Sequence, residues 1–305
     1  MRMLEAQYEE LLRDCAGIEL RKDEPLSRHT SFRVGGPALT AFPKSEQELR
    51  QLLQCAHARG IALRILGAGT NILAPDGGVG GLVICLKDAL CGLRSLEDDA
   101  IEAFAGESMA KAAVFARDLG LTGLEFAHGI PGTVGGGVYM NAGAYGGEMR
   151  QVVQSVTVLT MQGEKRTYTA EQSAFGYRTS AYQHMDCVIV SARLRLQKGE
   201  REAITAQMRA LMEKRRASQP LELPSAGSTF KRPAGHYAGQ LIEQAGLKGQ
   251  GFGGAKVSEK HAGFVVNTGG ASAADILRTI RFVQARVKET SGVELEPEVR
   301  IWQEG

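Results

Sequence analysis

Apolar residues recur at helical spacing in several separate stretches of the chain. Leu4, Tyr8, Leu11, Leu12 and Cys15 predict a short amphipathic helix at the start. Leu49, Leu52, Leu53 and Ala56 predict a second, opened by a Ser45–Glu48 capping box and stopped at Gly60. A third spans Ser108–Leu119 and ends at Gly120. A fourth, Glu202–Arg216, puts Ile204, Met208, Leu211 and Met212 on one face and ends in Lys214, Arg215 and Arg216, cations suited to a helix C-terminus. Tyr237–Ala245 is a short helix stopped by Gly246. Ser272 with Asp275 opens a long one through Ile276, Ile280, Val283 and Val287, stopped by Gly292. Between these lie apolar or alternating runs that predict strands at 61–66, 80–86, 152–160, 187–196, 261–267 and 295–302, with a short Thr169–Phe175 element.

The segment Gln219-Pro220-Leu221-Glu222-Leu223-Pro224 interrupts this order with two prolines and marks a domain boundary. At 305 residues the chain is long enough for about two domains, or three small ones. The division expected is 1–92, 93–220 and 221–305, with an overall α+β character and no internal repeat.

Composition narrows the function classes. Lys plus Arg total 36 and Asp plus Glu 34, a net charge of +2, which argues against a broad phosphate-neutralising surface for nucleic acid. No stretch approaches a membrane span, and MRMLEAQYEELLRDC lacks the apolar core of a secretory signal. The five cysteines form no Cys-x-x-Cys pair, and the six histidines are scattered, so no metal site is expected. A reduced, cytoplasmic setting fits this cysteine usage. Glycine stands out: 38 residues, about 12% against an average of about 7%.

Five motifs could carry chemistry. ILGAGTNIL (65–73) runs a strand into a turn of small residues whose backbone N–H groups could cradle a pyrophosphate. An ordinary strand-to-strand turn accounts for it equally well, and no G-x-G-x-x-G opens a helix here. AHGIPGTVGGGVYMNAGAYGGEM (127–149) holds eight glycines interleaved with apolar residues that call for burial, which favours a ligand lying on bare backbone over a floppy surface loop. Two such runs, with no Walker lysine, point to one extended diphosphate ligand, and flavin adenine dinucleotide fits. In FGYRTS (175–180), Arg178 reads as readily as a solvated charge. In PSAGSTFKRP (224–233), turn chemistry explains the serine at least as well as catalysis does. In LEPEVRIW, Glu298 sits in an apolar strand and could equally face solvent at an edge.

HTSFRVGG (29–36), GAGTN, the 127–149 block, FGYR, AGSTFKRP, GGAKVSEKHAGFVVN and EPEVRIW follow one another along nearly the whole chain. In that order they closely resemble the UDP-N-acetylenolpyruvoylglucosamine reductase family, in its shorter subtype. The resemblance implies a two-part FAD-binding region of the vanillyl-alcohol-oxidase type followed by a C-terminal α+β substrate-binding domain. It implies that NADPH reduces a non-covalent FAD, departs, and gives way to UDP-N-acetylglucosamine enolpyruvate, in cytoplasmic peptidoglycan precursor synthesis by a monomer. The catalytic trio implied is Arg178, Ser228 and Glu298. FAD contacts would come from Gly67, Ala68, Gly69, Thr70, Asn71, Ile72 and Leu73. The second run would add Gly129, Ile130, Pro131, Gly132, Thr133, Gly135, Gly136, Asn141, Gly143 and Ala144. Tyr177, Arg216 and Lys231 would bind substrate, with Arg215 a further candidate anion partner. Arg232 stands where some family members have Asn.

The residue types suit such a reaction. Reducing an enol ether beside a carboxylate builds negative charge that a guanidinium at Arg178 could meet with charge-assisted hydrogen bonds. Glu298, if protonated, could hydrogen-bond the same charge, which requires burial to raise its pKa. Ser228 would give the proton to the carbanionic carbon. The alternatives are an FAD-dependent sugar or alcohol oxidase on the same scaffold, and a non-catalytic flavin-binding protein. Ile65–Leu73 offers no histidine for a covalent flavin link.

Overall fold

The computed structural model describes residues 5–304. Among the described residues seven helices form: α1 Glu5–Asp14, α2 Glu46–Ala58, α3 Met109–Asp118, α4 Val134–Tyr139, α5 Arg201–Ser218, α6 Ala238–Gln244 and α7 Ala273–Ser291; six lie close to where the apolar spacing puts them, and α4, inside the second glycine-rich run, was not expected. Leu4 falls outside the described residues. Capping explains the starts. Ser108 accepts from the Lys111 N–H, Ser272 forms a full capping box with Asp275, and Gly292 ends α7 in the left-handed conformation. At Ser45 only half of the box forms. Ser45 accepts from the Glu48 N–H, but the Glu48 carboxylate turns to the Lys44 N–H at 2.7 Å.

The elements build three units. A four-stranded sheet runs in the order 19–25, 37–42, 82–85, 63–66, with the first pair antiparallel and the rest parallel. A five-stranded antiparallel sheet runs 165–169, 153–160, 187–195, 100–104, 93–96. Its residues Leu159, Val188 and Val190 pack into the same core as Leu49, Leu52 and Leu53 of α2, so the first two sheets form one body. A three-stranded sheet of 251–252, 255–257 and 265–267 packs with α6 and α7 in the last unit.

Three expected elements differ: of the strand expected at 261–267 only Val265–Asn267 forms, residues 261–264 turning with the Phe264 N–H on the His261 carbonyl at 3.0 Å. The stretch 169–175 is no strand: the strand is Lys165–Thr169, mostly exposed, and the chain then turns. The turn forms because the Thr169 carbonyl accepts from Ser173, while Thr169 and Gln172 exchange bonds between side chain and backbone. The 295–302 segment is not one strand either. Its first half bridges to the Ser228 segment, with Phe230 opposite Pro297. Its second half, Arg300–Ile301, pairs in parallel with Ile72–Leu73. Pro297 has no N–H to continue a ladder, and Glu298 lies at the changeover between partners.

The last unit is stitched to the first. Phe32, Val34 and Leu73 lie in the C-terminal core, each worth about 1.5–3 kcal/mol of burial. Asn267 donates to the Phe32 carbonyl at 2.9 Å. Asp76 caps α7 from across the junction, accepting from the Ala273 and Ala274 N–H groups at 2.7 and 2.9 Å.

Candidate active site

An open cleft of about 590 Å³ lies where the last unit meets the middle one, and Tyr177, Arg178, Ser228, Lys260, His261 and Glu298 are among the residues lining it. Residues from three distant motifs thus share one cavity.

Arg178 reaches it from a tight turn. Gly176 and Thr179 exchange backbone hydrogen bonds at 3.0 and 3.3 Å, so Tyr177 and Arg178 form the tip. Arg178 takes a left-handed φ of 56°, strained for a non-glycine residue. Its Nε donates to Glu298 Oε1 at 2.7 Å and its Nη2 to the Gly143 carbonyl at 3.0 Å. The two side chains keep only 19% and 15% of their exposure. Burial raises the Glu298 carboxyl above its ordinary pKa, and the charges of Arg178 and Lys231 only partly oppose this. A carboxyl in that state can hold a proton beside a fixed guanidinium.

Glu298 is held by backbone on both sides. Its N–H donates to the Thr229 carbonyl at 2.8 Å, and its carbonyl accepts from Asn71 Nδ2 at 3.2 Å. Ser228 precedes Thr229 and is exposed to the cleft. The Thr229 N–H and hydroxyl are tied to Gly263 and Val265, which leaves Ser228 on a fixed backbone. Tyr177 is half exposed, and its hydroxyl accepts from the Arg232 N–H at 3.1 Å. Arg232 in turn lies 3.9 Å over the Tyr237 ring. Lys231 pairs with Glu296 at 2.5 Å.

The two glycine-rich runs meet. Thr70 Oγ1 donates to the Pro131 carbonyl at 3.0 Å, and a Cβ on Gly67 would come 2.6 Å from Thr133 Oγ1. Among the described residues, the backbone N–H groups of Gly67, Ala68, Gly69, Thr70 and Asn71 find no acceptor, nor do those of Gly132 and Thr133. Gly69 needs its φ of 62°, since a Cβ there would strike the His29 carbonyl. Seven unpaired donors on facing loops fit an oxyanion ligand such as a diphosphate.

Other residues expected at the cofactor serve the protein. Ile72 and Leu73 are committed to the closing segment, with Leu73 buried. Ile130 packs on the middle core. The Gly135 N–H bonds to Ala105 and the Gly136 N–H to Thr133 Oγ1. Ala144 pairs with Gly147 in a hairpin, and Gly143 meets Arg178. Asn141 is wholly buried, and both its donor and acceptor ends are used within the chain.

Comparisons with known proteins show the family. Residues 219–302 match the family described as UDP-N-acetylenolpyruvoylglucosamine reductase, C-terminal domain, and residues 37–168 match FAD binding domain. A UDP-N-acetylenolpyruvoylglucosamine reductase of Limosilactobacillus fermentum is 46% identical over 97% of this chain and 98% of its own length. The chain belongs to the UDP-N-acetylenolpyruvoylglucosamine reductase family. The crystal structure of the reductase from Thermus caldophilus superposes with a TM-score of 0.78 at 34% identity, covering 94% of this chain and all of that one. A vanillyl-alcohol-oxidase-type flavoprotein from Myceliophthora thermophila, 14% identical with a TM-score of 0.50 over 64% of this chain and 48% of its own, shares the fold of the FAD-binding region.

Within this member of the family, Arg216 points away from the interior and is exposed, its carbonyl accepting from Lys260 Nζ at 2.6 Å. Its neighbour Arg215 is the buried one, 9% exposed, with its side chain against Gly129 and without a hydrogen-bond or ion-pair partner among the described residues. Burial lowers the pKa of its guanidinium, with Tyr145 opposing. The sequence carried the signal, because 204, 208, 211/212 and 215 continue one helical face while 216 leaves it.

Proposed function

We propose that Arg178, Ser228 and Glu298 are the catalytic residues of an NADPH-dependent reduction, through FAD, of UDP-N-acetylglucosamine enolpyruvate to UDP-N-acetylmuramate. The observation that carries this assignment is the 2.7 Å Arg178–Glu298 pair in the cleft that Ser228 lines.

The free N–H groups of Gly67–Asn71, with those of Gly132 and Thr133, hold the FAD diphosphate, and Arg215 supplies a nearby positive charge. FAD, when bound, would supply the two-electron hydride chemistry that links NADPH to the substrate's terminal methylene. Arg178 and a protonated Glu298 stabilise the enolate that then develops at the substrate carboxylate. Ser228, fixed through Thr229, delivers the proton to the neighbouring carbon. Tyr177, which lines the cleft, binds the substrate together with Lys231 and Arg216. The chain works as a cytoplasmic monomer in peptidoglycan precursor synthesis, divided into units at 92/93 and 220/221.

The test separates the two half-reactions by stopped flow. Ser228→Ala should keep flavin reduction by NADPH at the wild-type rate and slow reoxidation by UDP-N-acetylglucosamine enolpyruvate by about a hundredfold. Equal slowing of both halves would remove Ser228 from the proton step. No turnover by the flavin-loaded wild type would remove the reaction.

A further inference from the structure

Asn141 lies in the second glycine-rich run, yet its side chain does not reach the cleft. Its side chain ties three segments together. Nδ2 donates to the Gly176 carbonyl at 2.8 Å and to Glu148 Oε2 at 3.0 Å, while Oδ1 accepts from the Arg150 N–H at 2.9 Å. Gly176 is the foot of the turn that carries Arg178 at its tip. The same carbonyl also receives the Thr179 N–H, so Asn141 adds a second bond to the atom that closes the turn.

Arg178 is gripped again two residues beyond Asn141, where Gly143 accepts from its Nη2, and its own carbonyl accepts from Gln183 Nε2 at 3.1 Å. Asparagine suits the position. Its φ is 44°, a left-handed backbone that asparagine tolerates and most side chains resist. The amide also presents two donors and an acceptor in one plane, as the three partners require.

We propose that Asn141 is a positioning residue for the reduction: it fixes the Gly176–Thr179 turn so that the Arg178 guanidinium meets Glu298 and the substrate carboxylate in one orientation. The inference rests on the reading that Arg178 acts on the substrate. It places Asn141 outside the cofactor and outside the reacting atoms.

Asn141→Asp isolates the role. The variant keeps the shape, the left-handed tolerance and the acceptor for Arg150. It replaces the donor with an oxygen that faces the Gly176 carbonyl and the Glu148 carboxylate, a repulsive arrangement. Lowering the pH protonates the new carboxyl and returns a donor. Asn141→Gly is the companion variant, accepting the backbone conformation without strain while deleting every side-chain bond.

Flavin-loaded enzyme is followed through both half-reactions across pH. Both variants should reduce with NADPH at the wild-type rate and reoxidise with UDP-N-acetylglucosamine enolpyruvate at least about tenfold more slowly, the loss expected when positioning is disturbed. The Asn141→Asp rate, taken relative to wild type, should recover toward acid, and the Asn141→Gly ratio should stay flat. Wild-type reoxidation in both variants would overturn the inference. So would loss of flavin, or equal slowing of both half-reactions, in both. Arg178→Ala run alongside separates the two levels. If it leaves reoxidation intact, the reading of Arg178 fails. If it slows reoxidation and neither Asn141 variant does, only the role of Asn141 fails.

Discussion

Asp76 offers the sharpest test of how the last unit is held to the first. The first turn of α7 leaves four backbone N–H groups without helical partners. Its own capping box satisfies two of them. Ser272 Oγ accepts from the Asp275 N–H at 3.0 Å, and Asp275 Oδ2 accepts from the Ser272 N–H at 3.0 Å. The other two, on Ala273 and Ala274, are satisfied by Asp76, almost two hundred residues earlier in the chain. Asp76→Ala therefore strands two donors. The Ala274 end is exposed and water replaces its partner, but Ala273 is 5% exposed and its N–H is left bare, at a cost of about 1–3 kcal/mol. Loss of the anion at the helix N-terminus adds about 0.3–1 kcal/mol. The expected total is about 2 kcal/mol, and Asp76→Asn, which keeps one acceptor, should lose about half of it. At an unfolding entropy of ~2 cal/mol/K per residue over 305 residues, 2 kcal/mol lowers the melting temperature by ~3 °C. Urea titration and thermal melts followed by fluorescence give the number. Trp302 is the single tryptophan, and it sits at this junction with its backbone N–H on the Leu73 carbonyl at 3.0 Å. An Asp76→Ala change within 0.5 kcal/mol of wild type, about the scatter of a neutral surface substitution, would refute the clasp.

Arg178→Lys keeps the charge but cannot address Glu298 and the Gly143 carbonyl together. Flavin reoxidation should fall by about a hundredfold with flavin reduction unchanged in stopped flow, and a loss under threefold would count against the fork. Glu298→Gln tests the sign of the buried carboxyl. Because burial raises its pKa in the fold, ionising Glu298 opposes folding. That cost is absent below the unfolded value of 4.5 and complete once pH passes the raised value. Variant minus wild-type melting temperature should therefore be more positive at about pH 8 than at about pH 4, and a flat difference would contradict it. Arg215→Met removes a buried, unpartnered guanidinium, so the flavin-free protein should melt higher while the FAD dissociation constant rises about tenfold or more, measured by fluorescence titration. Unchanged FAD affinity would take Arg215 out of the cofactor site.

Much of the site was legible as residue types. The glycine turn at 67–69 read equally as a bare-backbone cradle or an ordinary turn, and the structure leaves five consecutive N–H groups there without an acceptor among the described residues. Ser228 stood in a constrained turn and does sit on a fixed backbone. The sequence left the partners of the Asn141 side chain open. An asparagine among glycines has the same sequence signature whether its amide faces a ligand or a carbonyl of its own chain. Which of Arg215 and Arg216 is buried could be read from the helical phase alone, since 215 stays on the apolar face and 216 leaves it.

The sequence by itself determined every helix but the short Val134–Tyr139 one, because caps and apolar spacing act within a turn or two of the chain. It also determined which side chains could do chemistry, and in what order they occur. The tertiary structure decided what they become. Arg178 and Glu298 lie 120 residues apart and meet only because the closing segment changes partner at Glu298, from the Ser228 run to Ile72–Leu73. The raised pKa of Glu298 depends on how far packing removes water relative to how near it brings Arg178. That competition is settled by distances in the folded molecule, and no local pattern of residues encodes it.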